Sequence, residues 1–207
     1  MKKAEFLFIF ILITMSLIFV SYDGINAETK LRNSPQKLNK KDIEMVVKNF
    51  NFFDKELNEK GDFPNDFVDN GDGTVTDRAT GLMWEQKGSK REKSHYYAKK
   101  HVKSLNKKKF AGYDDWRTPT VEELYSLLEP NTNKQLYINS VFATKANHFW
   151  STDESDLPTD LSVMSLMRCL TIDYKRGTVS DAYAASLPAG ASITNDSSFI
   201  RAVRSIQ

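Results

Sequence analysis

The residues with the most chemical potential are cations. Between Lys87 and Lys109 the chain carries Lys87, Lys90, Arg91, Lys93, Lys99, Lys100, Lys103, Lys107, Lys108 and Lys109 against the single acid Glu92, a net +9. The whole chain has 29 Lys+Arg and 27 Asp+Glu, a net of only +2, so its charge is polarised toward this segment. Such a run either solvates a surface or makes a field that an anionic polymer relieves. The candidate ligand-binding residues are therefore Lys90, Arg91, Lys93, Lys99, Lys100, Lys103, Lys107, Lys108 and Lys109. Other chemistries find little material. One cysteine, Cys169, excludes an intrachain disulfide and a multi-cysteine metal knuckle, and His95, His101 and His148 leave little for zinc. Asp69-Asn70-Gly71-Asp72-Gly73 has the oxygens of a calcium loop but lacks the closing Glu, and it reads as a turn. No Gly-x-Ser-x-Gly, His-Glu-x-x-His or phosphate-cradling glycine loop is present, so we expect no enzyme, cofactor or metal.

Helices and strands must position those cations. Ala98, Val102 and Leu105 recur at four and three, which predicts a helix with Lys99, Lys100, Lys103 and Lys107 on its other face and His95 and His101 flanking the apolar one. Thr120 with Glu123 is a capping box that opens a second helix, whose inward residues are Leu124, Leu127 and Leu128. Phe67–Asp69 and Thr74–Thr76 read as the arms of a hairpin. Strands are expected at Phe149–Ser151, Leu166–Tyr174, Thr178–Ser180 and Phe199–Arg204, and residues 184–198 as a surface loop. Helices early and antiparallel strands late make an α+β domain. Cys169 alternates away from Leu170 and Ile172, which leaves a buried inert thiol or an interchain bridge.

The N-terminal part divides in three. Lys2-Lys3 precedes an apolar run from Phe6 to Val20, and Ile25-Asn26-Ala27 follows. A spanning helix needs about 20 apolar residues, so 1–27 reads as a signal peptide cleaved after Ala27, with a retained anchor as the alternative. Residues 28–38 read as a linker. From Lys40 to Glu59, Ile43, Val46, Phe50, Phe53 and Leu57 form an a/d seam ended by Gly61. That helix either lies on its own domain or joins copies of the chain into a homo-oligomer.

Four pieces then appear in order: Asp69-Asn-Gly-Asp-Gly-Thr-Val-Thr-Asp77; Thr80-Gly-Leu-Met-Trp84; Ala111-Gly-Tyr-Asp-Asp-Trp-Arg-Thr-Pro119 with Glu123-Leu124; and Ile200-Arg-Ala-Val-Arg204. Together they resemble the Lcl C-terminal domain family over about residues 62–207. The resemblance implies a C-type-lectin-like fold, with two helices flanking a twisted antiparallel sheet and the amphipathic helix in front. It also implies a bacterial binding domain, linked in the collagen-like adhesin that names the family to sulfated glycans and trimer formation. Members often carry Trp and Cys where this chain has His95 and Val102, so the matching disulfide is absent and packing must stabilise the fold. Glu129-Pro130-Asn131 looks like the calcium-and-sugar triplet of calcium-dependent lectins, but Trp150-Ser-Thr-Asp153 departs from the Trp-Asn-Asp that completes it. Trp84, Asp115, Trp116, Arg117, Arg201 and Arg204 read as structural, a Trp anchoring the core and Arg forks tying loops. The expected function is a non-catalytic module at the periplasm, cell surface or outside, binding anionic glycan. The alternative is an envelope assembly domain whose partner is another protein. Neither reading involves sequence-specific nucleic acid, and the only membrane contact expected is through the signal peptide.

Overall fold

The computed structural model describes residues 28–130, 136–142, 146–156, 168–183 and 197–206. The proposed signal peptide, the Leu166 end of the expected strand and most of the 184–198 loop lie outside them. Residues 28–38, read as a linker, lie against the domain: Leu31 and Leu38 are buried, and β1 (Lys37–Leu38) pairs in parallel with β5 (His148–Ser155). Asn39 then opens α1 (Lys40–Phe50) with a capping box; its side-chain oxygen accepts from the N–H groups of Lys41 and Asp42, while Asp42 accepts from the N–H of Asn39.

The expected helix to Glu59 is shorter in the structure. Asn51 turns left-handed (φ 53°), and its N–H reaches the carbonyls of Val47 and Lys48, which stops α1 after three turns. Phe52 and Phe53 then drop into the core beside Ile43 and Val47, so the apolar seam is spent on the chain's own interior. Leu57 is left exposed. Gly61 ends no helix; its backbone passes so close to Phe52 that an added Cβ would lie 2.2 Å from the Phe52 carbonyl oxygen.

The rest is mixed α+β, with two four-stranded sheets where one was expected. β2 (Phe67–Asp69), β3 (Thr74–Asp77), β4 (Leu82–Glu85) and β8 (Val203–Ser205) form an antiparallel sheet. β1, β5, β6 (Arg168–Asp173) and β7 (Thr178–Tyr183) form the other. α2 (Tyr96–Lys107) and α3 (Val121–Ser126) stand between the strand groups β2–β4 and β5–β7, while β1 and β8 each cross to the sheet of the group farther away in the chain. Strand alternation divides the interior. Val75, Trp84 and Val203 face the main core with Leu124, Phe149 and Ile172. Met83 and Ala202 face the other way, onto Trp116 with Val102 and Leu105 of α2. The C-terminal strand is shorter than expected, because Ser198 and Phe199 make single bridges to Lys93 and Phe149 and ladder pairing begins only at Val203.

Candidate anion-binding face

α2 is held on its inner side and free on its outer side. Ala98 packs with Trp150, Cys169 and Ile200, while His101 Nε2 lies 2.8 Å from Glu85 Oε2. His95, just before the helix, donates from Nε2 to the Ser151 carbonyl at 3.2 Å and sets its ring edge-on to Trp150, centroids 5.4 Å apart. Burial pushes the His95 pKa below its ordinary value, with Lys99 adding in the same direction; the Ser151 hydrogen bond and Glu154 oppose the shift.

Lys90, Arg91, Lys93, Lys99, Lys100, Lys103, Lys107, Lys108 and Lys109 are all exposed. Among the described residues only Lys109 has a carboxylate within ion-pair distance, Asp114 at 3.6 Å. Glu92, the one acid of the segment, accepts from the Ser197 hydroxyl. The nine predicted cations are thus all exposed, and among the described residues eight of them have no carboxylate within ion-pair distance. Two residues that charge counting passed over lie among them. Tyr96 is 60% and Tyr97 44% exposed, and both carry lysine ammonium groups over their rings. The signal was present in the sequence: Tyr96 and Lys100 stand four apart, as do Lys93 and Tyr97.

The residues read as structural divide into two kinds. Trp116 donates its indole N–H to the Phe110 carbonyl, and Asn106 bonds both its N–H and its C=O. Arg117 pairs with Glu123, and Arg204 forks onto Asp115 at 2.7 and 3.0 Å while lying 3.8 Å from the Tyr113 ring centroid. Those Arg204 hydrogen bonds hold the Asp115 carboxyl below its ordinary range. Arg201 departs from the expected fork. It is fully buried between the rings of Phe142 and Phe149, 4.5 and 4.7 Å from their centroids, with no hydrogen-bond partner for its guanidinium among the described residues. Desolvation lowers its pKa to about 10. Trp84 is likewise buried in the core, its indole N–H without a hydrogen-bond partner among the described residues.

Oxygens of the two calcium-like stretches make hydrogen bonds within the fold, Asn131 lying outside the described residues. Asp69 accepts from the Gly71 N–H and Asp72 from the N–H and hydroxyl of Thr74, side-chain bonds that shape the hairpin turn. Asp153 accepts two hydrogen bonds from Arg32 and one each from the N–H groups of Gln36 and Val121. Among the described residues no group of three or more His, Cys, Asp or Glu side chains could hold a metal ion. Cys169 is buried, and desolvation raises its thiol to about 12. The interchain bridge is therefore disfavoured in this fold, because the sulfur has no surface to reach from.

The sequence model of the Lcl C-terminal domain matches residues 73–204, well over half of the chain. The protein belongs to the Lcl C-terminal domain family. No curated protein and no solved structure matches it. The matched Lcl C-terminal domain begins in the hairpin turn at Gly73, yet Leu31, Ile43, Val47, Phe52, Phe53 and Phe63 from earlier in the chain share its main core. The basic face, from Lys87 to Lys109, lies wholly inside the match.

Proposed function

We propose that this protein is an exported, non-catalytic binding module that recognises anionic, sulfated polysaccharide through the outer face of α2. One observation carries the reading: a surface of exposed cations with almost no local counter-charge, on a helix whose other face is firmly packed. Unpaired like charges repel, and an incoming polyanion removes that cost while displacing its own counterions. The C-type-lectin-like arrangement belongs to the same reading. It is supported by the family membership, by α2 and α3 standing between the two strand groups, and by the return of the last strand to pair with β4.

Replacement of Lys99, Lys100 and Lys103 by Gln tests it. Binding to heparin, measured by calorimetry from low to physiological salt, is expected to be steeply salt-dependent in the parent and lost in the triple variant. The melting temperature should hardly change, since exposed positions contribute within about 0.5 kcal/mol. Equal heparin binding by parent and variant would refute the reading. No binding by the parent at low salt would leave the assembly domain in its place.

A further inference from the structure

We infer that Tyr96 and Tyr97 form an aromatic corner within the basic face, so that the site grips the apolar face of a sugar ring as well as its charge. The inference rests on the reading of that face as an anionic-polymer site and adds a second kind of contact to it. On a helix, residues seven and eleven apart return almost to the same direction. Tyr96 therefore falls between Lys103 and Lys107 in projection, about 20° from each. It stands in the middle of the lysine stripe.

The rings are built into that stripe rather than merely left outside. Their centroids are 5.5 Å apart with planes at 75°, an edge-to-face pair. Lys100 Nζ lies 4.7 Å from the Tyr96 centroid and 5.0 Å from that of Tyr97, so one ammonium ties both rings. Lys93 Nζ lies 5.2 Å from the Tyr97 centroid. Among the described residues these ammonium groups have no carboxylate within ion-pair distance, and they keep N–H donors for a ligand.

The base of the corner is fixed. Lys93 exchanges two backbone hydrogen bonds with Ser198, at 2.9 and 3.1 Å, and its carbonyl accepts from the Trp150 indole at 2.7 Å. His95 is held by the Ser151 carbonyl and packed against Trp150. Little order has to be created when a ligand arrives, which favours affinity.

The geometry selects the ligand chemistry. Two rings inclined at 75°, with the Lys100 ammonium over both and the Lys93 ammonium over Tyr97, suit a puckered ring that presents C–H groups to the remaining ring surface and an anionic substituent to those cations. An acidic pyranose has that form. A plain polyanion such as polyphosphate uses only the lysines. Successive bases of a single strand stack roughly parallel, and two rings at 75° cannot both receive them.

The test compares Tyr96→Ala/Tyr97→Ala, Tyr96→Phe/Tyr97→Phe and the Lys99/Lys100/Lys103→Gln variant. Each is measured against a heparin oligosaccharide, inorganic polyphosphate and oligo-dT, with circular dichroism to confirm folding. The alanine pair is expected to lose about tenfold or more for heparin. It should lose less than about twofold for polyphosphate and keep the parent's salt slope, because no charge is removed. The phenylalanine pair should restore binding, since the ring faces remain. Heparin binding retained by the alanine pair but lost by the lysine variant overturns the aromatic corner and leaves the electrostatic site standing. Equal losses of heparin and polyphosphate also overturn the corner. An oligo-dT affinity that exceeds heparin's and falls with the rings makes it a base-stacking surface and refutes the sugar assignment. Heparin binding unaffected by any variant refutes both proposals.

Discussion

Replacing Asp153 with Ala should be among the most damaging single changes in this protein. The side chain is fully buried and accepts four hydrogen bonds: from Arg32 Nη1 and Nη2, both at 2.8 Å, and from the N–H groups of Gln36 and Val121, both at 2.7 Å. One carboxylate thus binds the N-terminal segment to β5 and satisfies the first free N–H of α3. Removing one partner of a buried ion pair costs about 3–5 kcal/mol, because the other charge and its donors stay desolvated. Arg32 keeps Glu122 as a second carboxylate at 3.8 Å, so the lower half of that range is expected. A domain is stable by only about 5–15 kcal/mol in all. For a chain of this size each kcal/mol moves the melting temperature by about 2–4 °C, which places the expected fall at about 6–16 °C. Thermal melts followed by far-ultraviolet circular dichroism would measure it. A double-mutant cycle with Arg32→Met and Asp153→Asn should show a coupling of about 1–3 kcal/mol. A loss below about 1 kcal/mol for Asp153→Ala, or a cycle additive within about 0.5 kcal/mol, would refute the view that this pair clamps residues 28–38 to the domain.

Burial holds the His95 pKa below its ordinary 6.5, so the folded state prefers the neutral ring; its contribution to stability is complete above about pH 6.5 and is lost as pH falls below that value. Urea melts at about pH 7.5 and about pH 5 should therefore differ more in the parent than in His95→Gln, and identical differences would contradict this. Cys169, with its thiol raised to about 12, should resist a thiol reagent in the native protein at neutral pH and react fully in denaturant. The oxygens of Asp69, Asp72 and Asp153 are already engaged in hydrogen bonds, so chelator should leave the melting temperature unchanged; a fall of several degrees reversed by calcium would overturn that. Gly88 has φ +69°, and a Cβ there would meet the Ile200 carbonyl oxygen at 2.8 Å and the Phe149 ring at 3.1 Å, so Gly88→Ala should destabilise measurably in the same melts.

What the sequence determined by itself was local. The capping box of Thr120 and Glu123, the Asn-Gly-Asp-Gly hairpin, the apolar stripe of Ala98, Val102 and Leu105 and the lysines opposite it all involve partners a few residues apart, and each took the expected form. The ordered motifs from Asp69 to Arg204 carried the family as well. Other features were decided only by tertiary structure, since their physical cause lies far away in the chain. Arg32 and Asp153 are 121 residues apart, and nothing in a run that looks like a linker announces a buried ion pair. The heptad-like seam persists in the sequence through Leu57, but Asn51 breaks the helix and the domain core takes Phe52 and Phe53; periodicity records which residues are apolar, not what covers them. Arg201 looked like every other arginine until Phe142 and Phe149 closed over it. Charge counting found the basic face, yet Tyr96 and Tyr97 gained meaning only once α2 was seated on the sheet. Seating fixes which side of a helix meets solvent, and exposure is a property of the whole fold.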